Sequence, residues 1–330
     1  MEMKSKPRVA IVIVIWNGLE DTLECLGSFR ADTYPNKEIV IVDNGSSDDS
    51  VAVITAQHPE TVILQTGKNL GFTGGNNVGI KYAVESGADY IYLINNDTLV
   101  EEDALEKLVE VAEANPGAGL VAPVIHDFDP PQAIWFSGSA LDLRRGAAWH
   151  DNARQPSREE PPYEVPWVTG CAMLVRAQLL GRLGGFDDRY YLSWEDVDLS
   201  VRVRNEGQKL LVAPAARIYH KGGQSGKNLE GIYGYYAVRN SLLLASKHSG
   251  PDYPRAAMKI VGGALRGSFR IKSFRFGRLR LLWDAVKDHL TNRYGPYEAS
   301  HRALQGKKIT EPNGANGRVN APTGKETMKI

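Results

Sequence analysis

The sequence predicts an α/β protein with a mostly parallel sheet and helices on both of its faces. Three observations lead to this prediction. Segments 9–15 and 38–42 are continuously apolar and rich in valine and isoleucine, which is typical of strands buried on both faces. Segments of helical spacing follow them, and the two kinds of element alternate about every 10 to 15 residues. Such alternation builds right-handed βαβ units, and therefore a largely parallel sheet.

The elements after the first strand continue this alternation. Asn17 offers an N-cap for a helix that ends before Tyr34-Pro35. No G-x-G-x-x-G follows the first strand and no Walker A pattern occurs, which argues against dinucleotide dehydrogenases and P-loop enzymes. The further predicted elements are a helix near 48–57, a strand at 61–65, a helix from about Gly74 to Glu85, a strand at 90–94, a helix at 102–114 and a strand at 119–122.

The second half of the chain is less regular. Residues 126–166 contain scattered prolines and tryptophans without a period, so we predict irregular structure with short antiparallel strands. After about residue 231 the pattern is mostly helical, and from residue 305 it is polar and aperiodic, which predicts disorder. Between these regions the pattern is again regular at 168–175, and we predict a helix at 177–183, a turn at 184–187, a helix at 195–206 and a strand at 210–212 that leads to 218–221.

Composition and charge limit the partners and the location. Lys+Arg and Asp+Glu balance at 39 each, so we expect no nucleic-acid partner. Cys25 and Cys171 belong to no CxxC pattern, which favours a reducing compartment. The N-terminal apolar run, 9–16, is too short to span a membrane. We therefore predict a cytoplasmic protein, and attachment to the inner face of the cell membrane remains open.

Asn95-Asn96-Asp97 stands directly after the buried strand 90–94. Ligands of open α/β sheets bind at the carboxyl ends of the strands. A carboxylate flanked by amide oxygens suits a hard divalent cation that also holds phosphate oxygens. A simple turn stabilised by Asx hydrogen bonds is the alternative.

Five segments with glycine, asparagine and acidic residues follow one another along the chain: 42–46 (Val-Asp-Asn-Gly-Ser), 69–79 (Asn-Leu-Gly-Phe, then Gly-Gly-Asn-Asn-Val-Gly from 74), 95–97 (Asn-Asn-Asp), 184–187 (Gly-Gly-Phe-Asp) and 194–196 (Trp-Glu-Asp). In this order they resemble glycosyltransferase family 2, over roughly residues 8–245. The resemblance is greatest to bacterial rhamnosyltransferases that build cell-surface polysaccharides. It implies a GT-A fold, a dTDP- or UDP-sugar donor, Mn²⁺ or Mg²⁺, a saccharide or lipid-linked acceptor, and inversion at the anomeric carbon.

The resemblance assigns donor-binding roles to residues near the first strands. Asp43 would bind the base or the ribose, with an Asx turn as the alternative, and Trp16 would pack on the base beside Asn17. The glycines of the second segment would let the diphosphate approach a helix N-terminus. The donor-side residues from these segments are Gly71, Gly74, Gly75, Asn76, Asn77, Asn95 and Asn96.

The metal ligands predicted by the resemblance are Asp97 and His220. The family's usual metal motif has two aspartates around one residue, whereas here Asn95 occupies the first position. An amide is a neutral and weaker ligand, so Asp97 would carry most of the contact. The alternative for His220 is an ordinary core or surface histidine.

Asp196 is the predicted general base, with Glu195 as its rival and Trp194 as a platform for the acceptor sugar. Inverting transfer needs one carboxylate to take the proton of the attacking hydroxyl. A helix N-terminus would keep Asp196 ionised. The alternative is that Ser193-x-x-Asp196 is only a capping box.

Arg239 would reach the diphosphate, with an ordinary surface arginine as the alternative. The Gln-x-x-Arg-Trp motif of processive members is missing, so a single addition is expected. Two other functions remain open: a sugar-1-phosphate nucleotidyltransferase, and a degenerate non-catalytic saccharide-binding protein. The first lacks support because the loop 16–18 is not a triphosphate-binding glycine-rich stretch.

We predict a catalytic GT-A domain at 1–240, a helical basic extension at 241–304 and a disordered tail at 305–330. Within the extension, residues 255–293 hold ten Lys/Arg against two acids. Two interpretations of this segment remain open. It contacts an anionic membrane surface where lipid-linked acceptors reside, or it is a solvated helical pair packed on the catalytic domain.

Overall fold

A ten-stranded mixed sheet forms the centre of the computed structural model, which describes residues 5–222, 230–270 and 276–297. Its strands are flanked by helices, and a separate two-stranded hairpin is formed by β8 and β9. The strands are β1 (Val9–Ile15), β2 (Lys37–Asp43), β3 (Val62–Gln65), β4 (Tyr90–Asn95), β5 (Thr98–Val100), β6 (Ala118–Asp127), β7 (Ile134–Phe136), β8 (Ser139–Asp142), β9 (Ala147–His150), β10 (Tyr163–Glu164), β11 (Ala172–Arg176) and β12 (Lys209–His220).

Nine helices lie within the described ranges. They are α1 (Leu19–Ala31), α2 (Ser50–Gln57), α3 (Gly71–Glu85), α4 (Ala104–Ala114), α5 (Ala177–Leu183), α6 (Glu195–Asn205), α7 (Glu230–His248), α8 (Tyr253–Arg270) and α9 (Phe276–Leu290). A short 3₁₀ turn, Gly250–Asp252, joins α7 to α8.

The sheet order is β10-β12-β6-β11-β4-β1-β2-β3, with β5 on β12 and β7 on β6. The strands β1 to β4 are mutually parallel, and β6 runs parallel to β12. The strand β11 lies antiparallel between β4 and β6. The predicted mostly parallel α/β sheet is confirmed, with β11 as a reversed strand inside it.

Helices cover both faces of the parallel half, as predicted. Added Cβ atoms on Gly75 and Gly79 of α3 would lie 2.7 and 2.3 Å from Val14 and Val12, so these glycines let α3 pack closely on β1. The helix α1 contacts the other face, where Phe29 meets Tyr92 edge-on at 6.4 Å. Tyr92 pairs with Ile11 in the sheet, and neighbouring positions along β1 point to opposite faces.

Three local predictions differ from the structure. The N-cap of α1 is Gly18, not Asn17, whose Oδ1 instead accepts a hydrogen bond from the backbone of Ser47 at 2.9 Å. The helix α3 begins at Gly71 rather than near Gly74. The strand predicted at 210–212 is part of a longer strand, β12 (Lys209–His220), with an irregularity between Ala213 and Arg217 that absorbs the proline between them.

The C-terminal helices form a second apolar cluster. It is built from α7, α8 and α9 around Tyr235, Leu242, Ile260 and Leu282. The helix α7 runs continuously through residue 240, where the boundary between domain and extension was expected. The predicted tail 305–330 lies outside the described residues. Within the described ranges, no helix is both long and apolar enough to cross a membrane.

Candidate active site

The ends of three parallel strands bring the predicted donor-side residues to one edge of the sheet. In the register of β1, Ile15 is paired with Asp43 and Val14 with Asn95. Asp43 is buried, and its Oδ1 accepts a hydrogen bond from the backbone of Ser46 at 3.0 Å, so the Asx turn is present. Trp16 follows β1 directly and is 44% exposed, which leaves its ring available to a ligand at this edge.

Asn95-Asn96-Asp97 forms a tight turn between β4 and β5. Its backbone is fixed by Asn95, whose N–H donates to Cys171 O at 2.9 Å and whose carbonyl accepts from Thr98 Oγ1 at 2.7 Å. The Asn96 side chain donates to Thr22 Oγ1 of α1 at 3.0 Å. The Asn96 amide therefore stabilises the turn, and the carboxylate of Asp97 remains the anionic group at this position.

Asp97 and His220 are brought together by the pairing of β5 with β12, in which His220 is opposite Thr98. His220 Nε2 lies 3.2 Å from Asp97 Oδ1, and both residues are 8% exposed. Burial disfavours the imidazolium, but contacts with Cys171 and Asp97 outweigh it and raise the pKa of His220. Burial also raises the pKa of the Cys171 thiol.

The Asp97–His220 pair fits a divalent cation that is also held by substrate. Adjacent ligands of an octahedral ion with bonds of about 2.1 Å are roughly 3 Å apart, close to the observed 3.2 Å. Among the described residues, no group of three His, Cys, Asp or Glu side chains could hold a metal by itself. A cation here would be held by Asp97 and by the neutral form of His220, and phosphate oxygens and water would complete its coordination.

The glycine-rich segment is organised by Asn44. Its Nδ2 donates to Gly71 O at 2.9 Å, and its Oδ1 accepts from Leu70 N–H at 2.9 Å. The first amides of α3 are already occupied, because Gly71 N–H donates to Asn69 Oδ1 and Thr73 N–H to Tyr191 O. This arrangement is at odds with the prediction that the diphosphate binds the N-terminus of α3.

The asparagines and glycines of α3 have mainly structural contacts. Asn76 donates to Phe72 O within the helix. Asn77 accepts from Phe186 N–H at 2.8 Å and donates to Phe186 O and Asp188, so it fastens the turn 184–187 to α3. Gly74 packs against Leu70. Asn76 and Asn77 were predicted to contact the sugar donor, but both side chains already make hydrogen bonds within the protein.

Asp196 lies in the first turn of α6 and is anchored by backbone groups. Its Oδ2 accepts from Gly170 N–H at 2.9 Å, and its Oδ1 accepts from Val197 N–H at 2.8 Å. Burial nevertheless outweighs these bonds and raises the pKa of Asp196, contrary to the expectation that the helix N-terminus keeps it low. A raised pKa makes the carboxylate a stronger base. The capping-box alternative is wrong, because α6 has no side-chain cap.

Glu195 is the more deeply isolated of the two carboxyl groups. It is 5% exposed, and its Oε2 has no hydrogen-bond partner. Burial and the neighbouring charge of Asp196 raise its pKa well above the usual range of a glutamate. Burial therefore favours the neutral form of Glu195, whereas the carboxylate of Asp196 accepts two backbone hydrogen bonds, which makes Asp196 the better candidate for the charged member of the pair.

The segment before β11 connects the two halves of the site. Gly170 binds Asp196, and the next residue, Cys171, accepts from Asn95 at the Asn-Asn-Asp turn. An added Cβ on Gly170 would lie 3.4 Å from both Asp196 and Phe72. Consecutive residues therefore contact the candidate base and the turn that carries the candidate metal ligand Asp97.

Tyr233 of α7 is a further candidate for the site, and the sequence did not indicate it. It is 39% exposed, and burial together with the charges of Glu195 and Asp196 raises its pKa to about 12. Trp194, the predicted platform, is the N-cap of α6 with φ 74° and is only partly exposed. A tyrosine in an apolar helical pattern carries no sign in the sequence that it approaches two carboxyl groups.

Arg239 does not reach the strand ends. It is fully buried, and its guanidinium donates to the carbonyls of Gly295, Arg189 and Tyr190. The predicted diphosphate contact is wrong for this arrangement, because those donors are already used inside the protein. The alternative of an ordinary surface arginine is wrong as well.

The sheet and the strand-end site together define a GT-A type glycosyltransferase. Two solved structures share the fold at 16% sequence identity: GalNAc-T7 with UDP, GalNAc and Mn²⁺ (TM-score 0.61, covering 87% of this chain and 55% of that one), and the mannosyltransferase PcManGT from Pyrobaculum calidifontis with GDP-Man and Mn²⁺ (TM-score 0.56, covering 88% of each chain).

The chain belongs to glycosyltransferase family 2. Residues 10–184 match the sequence model described as "Glycosyl transferase family 2", and the protein lies in its rhamnosyltransferase-like branch. A similar relative is the N-acetylglucosaminyl-diphospho-decaprenol L-rhamnosyltransferase of Mycobacterium tuberculosis, 28% identical over 75% of this chain and 86% of the relative. Another is the rhamnosyltransferase WbbL of Escherichia coli K12, 27% identical over 63% and 82%.

Proposed function

We propose that the protein is a metal-dependent, inverting glycosyltransferase that moves L-rhamnose from a nucleoside diphosphate to a saccharide or lipid-linked acceptor. The observation that carries this proposal is the link through Gly170 and Cys171, which joins the base candidate Asp196 to the turn that holds Asp97. A base on one side and an anion-binding metal site on the other are the two parts that inverting transfer requires.

In the proposed reaction, Asp196 takes the proton of the acceptor hydroxyl while the hydroxyl oxygen attacks the anomeric carbon. The bond from that carbon to the diphosphate oxygen breaks on the opposite side, and the nucleoside diphosphate leaves with its electron pair. A divalent ion held by Asp97 and His220 would offset the charge of the diphosphate. Gly170 holds the carboxylate of Asp196 in place by its 2.9 Å hydrogen bond.

The sugar and the acceptor are proposed from the relatives. A similar protein of Shigella flexneri is named a dTDP-rhamnosyl transferase, and the mycobacterial relative is named for a diphospho-decaprenol acceptor. A dTDP-L-rhamnose donor is therefore the first to test, with UDP-sugars as the comparison. The product would be one added sugar in the synthesis of a cell-surface polysaccharide.

The test is a transfer assay with dTDP-L-rhamnose, a lipid-linked saccharide and Mn²⁺ or Mg²⁺, with the anomeric configuration of the product read by NMR. The proposal predicts an inverted product, loss of transfer with a chelator and its return with the metal. A retained configuration, or full activity in the chelator, would contradict it. Pyrophosphate release from a nucleoside triphosphate would instead indicate a nucleotidyltransferase, and no turnover of any nucleotide-sugar a degenerate binding protein.

We also propose that α8 and α9 contact an anionic membrane from the cytoplasmic side. Met258 and Leu265 share a face of α8 and are 70% and 38% exposed, and Trp283 and Leu290 share a face of α9 and are 67% and 71% exposed. Basic residues stand beside both apolar strips, which is the pattern of helices that lie in a membrane interface. The exposed basic residues are Arg255, Lys259, Arg266, Arg278, Arg280 and Lys287.

Vesicle co-sedimentation tests the membrane contact. The wild-type protein should sediment with phosphatidylglycerol vesicles at low salt and less at high salt, because surface charges are screened. Replacing Trp283 and Met258 by serine should reduce binding, while Met258→Leu should retain it. Equal sedimentation with neutral and anionic vesicles, or none with either, would support the solvated helical pair instead.

A further inference from the structure

The loop that leads into α6 has an unusual backbone. Tyr191, Ser193 and Trp194 have positive φ angles of 63°, 71° and 74°, although none of them is glycine. L-residues adopt this left-handed region at a cost, and such strain persists only where the surrounding structure maintains it. The next two residues are Glu195 and Asp196, so the path of this loop decides where the candidate base lies.

Asn240 of α7 holds this loop from one side. It is fully buried, and its Nδ2 donates to the carbonyl oxygens of Tyr190, Leu192 and Ser193 at 2.9, 2.7 and 2.8 Å. One side-chain amide thus contacts three carbonyls of the segment that contains the left-handed residues. These contacts fix the backbone itself and do not depend on the side chains of the loop.

Arg239 holds the same loop and also orients the side chain of Asn240. Its Nη2 donates to Arg189 O at 3.2 Å and Tyr190 O at 3.0 Å, and its Nε donates to Asn240 Oδ1 at 3.0 Å. The last bond orients the Asn240 amide so that its nitrogen faces the loop. The guanidinium also lies 5.0 to 5.6 Å from the ring centres of three tyrosines, which compensate the buried charge.

The opposite side of the loop rests on α3. Tyr191 O accepts from Thr73 N–H at 3.3 Å, and the Tyr191 hydroxyl donates to Asn69 Oδ1 at 3.3 Å. An added Cβ on Gly71 would lie 2.5 Å from Tyr191, so no larger residue fits there. The loop is therefore held between α3 and α7, with the polar contacts on the α7 side coming from two adjacent residues.

We propose that Arg239 and Asn240 are positioning residues for the transfer reaction, holding the strained 189–194 loop so that Asp196 meets the acceptor hydroxyl. This inference rests on the proposed role of Asp196 as the base. It replaces the predicted diphosphate contact of Arg239 with a role exerted through the backbone. A misplacement of about 1 Å at a reacting group can lower a rate on the order of 100-fold.

The test compares kcat with donor binding. Asn240→Leu keeps the approximate volume but removes every donor, and should lower kcat on the order of 10- to 100-fold while the KM and Kd of the donor change by less than about twofold. Arg239→Lys keeps the charge but loses the planar set of donors, and should retain part of kcat. If Asn240→Leu does not fold, Asn240→Asp replaces it, since it keeps the shape and removes the donors.

Ile260→Ala is the matched control, because Ile260 lies in the same helical cluster and its aliphatic side chain has no hydrogen-bonding group that could hold the loop. All variants are assayed well below their melting temperatures. The proposal requires that Ile260→Ala retain kcat when its melting temperature falls as far as that of the Asn240 variant. Equal losses of kcat in the two variants, or wild-type kcat in folded Asn240→Leu, would overturn it.

A double variant separates this inference from the proposed base. In the Asp196→Asn background, Asn240→Leu should lower the residual rate much less than it lowers the wild-type rate, because both changes act on the same group. If Asn240→Leu lowers the rate by the same factor in the wild type and in Asp196→Asn, the positioning role is overturned. Full activity of Asp196→Asn alone would instead remove the base assignment on which the inference rests.

Discussion

Asp97 Oδ1 lies 3.2 Å from His220 Nε2, and both side chains are buried at the end of the parallel strands. The two residues come from distant parts of the chain, the turn after β4 and the last position of β12. A buried carboxylate and imidazole in contact can serve either as an ion pair or as two ligands of one cation. Replacing Asp97 distinguishes an ion pair from a pair of metal ligands.

Asp97→Ala should abolish metal-dependent binding of the nucleoside diphosphate, whereas Asn95→Ala should weaken it by less. Asp97 carries the charge at this turn, and the loss of a charged ligand typically lowers metal affinity by at least about 10- to 100-fold. Calorimetric titration of the nucleotide with and without Mn²⁺ measures the difference. Asp97→Asn serves as the control for folding. Equal metal dependence in wild type and Asp97→Ala would show that the pair is only structural.

Glu195→Gln should retain activity within about fivefold, because Glu195 Oε2 is buried without a hydrogen-bond partner and burial favours the neutral form of this group, which glutamine resembles. The rate should fall on the acid side as Asp196 becomes protonated. Since burial raises the pKa of Asp196 above its ordinary value of 3.8, this fall should begin at a higher pH than for a free aspartate. A pH profile of kcat/KM for both proteins measures it. Loss of activity in Glu195→Gln would make Glu195 the base.

Gly71→Ala should destabilise the protein more than Gly87→Ala, although both glycines have φ +76°. At Gly87 nothing lies within 4 Å of an added Cβ, so only the left-handed strain of about 1 kcal/mol applies. At Gly71 the methyl group would also lie 2.5 Å from Tyr191, which adds about 1 to 3 kcal/mol. Urea unfolding measures the loss of unfolding free energy in both variants. Equal losses would mean that the Tyr191 loop moves freely.

Asp198→Asn should lower the free energy of unfolding at pH 7 by at least about 2 kcal/mol. Burial opposes ionisation of Asp198, but His248, Lys247 and Arg202 outweigh it and lower its pKa from 3.8 to about 2. Each tenfold change in proton affinity corresponds to about 1.4 kcal/mol. The unfolded chain binds this proton at higher pH, so the stabilisation is complete above about pH 4 and is lost as the pH falls towards 2.

Denaturant unfolding at pH 7, 4 and 3 tests this dependence, with Asp252→Asn as the control. Asp252 makes an exposed pair with Arg144 at 3.3 Å, and its loss should cost no more than about 0.5 kcal/mol. The Asp198 variant should show a weaker decline of stability with acid than the wild type. The same decline in both proteins would mean that Asp198 is not the group responsible.

Local patterns predicted most of the strands and helices and their alternation. Continuous apolar runs identified β1, β2 and β4, but such runs carry no information on direction, so the antiparallel course of β11 was not predictable. The pairing of Asp97 with His220 followed from a resemblance, and the register of β12 with β5 accounts for it. Asp196 was placed correctly at the start of α6, while the rise of its pKa depends on burial that the sequence does not show.

The roles of Asn44 and Arg239 were beyond local reasoning for another physical reason. Asn44 appears in the sequence as a turn residue, yet its side chain organises a loop that starts 25 residues later. Arg239 lies in a helix that packs against a loop 50 residues earlier, and its donors are all used there. Hydrogen bonds to distant carbonyls produce no periodic pattern or fixed residue spacing in the sequence, so only the tertiary structure reveals them.

The most direct test of Asp196 as the general base is the Asp196→Asn variant, assayed for both donor binding and transfer. The change keeps the shape of the side chain and removes its capacity to accept the proton of the acceptor hydroxyl. If Asp196 is the base, the variant should have a donor Kd within about twofold of the wild type and a kcat lower by about 100-fold or more. Transfer at the wild-type rate in a folded Asp196→Asn protein would contradict it.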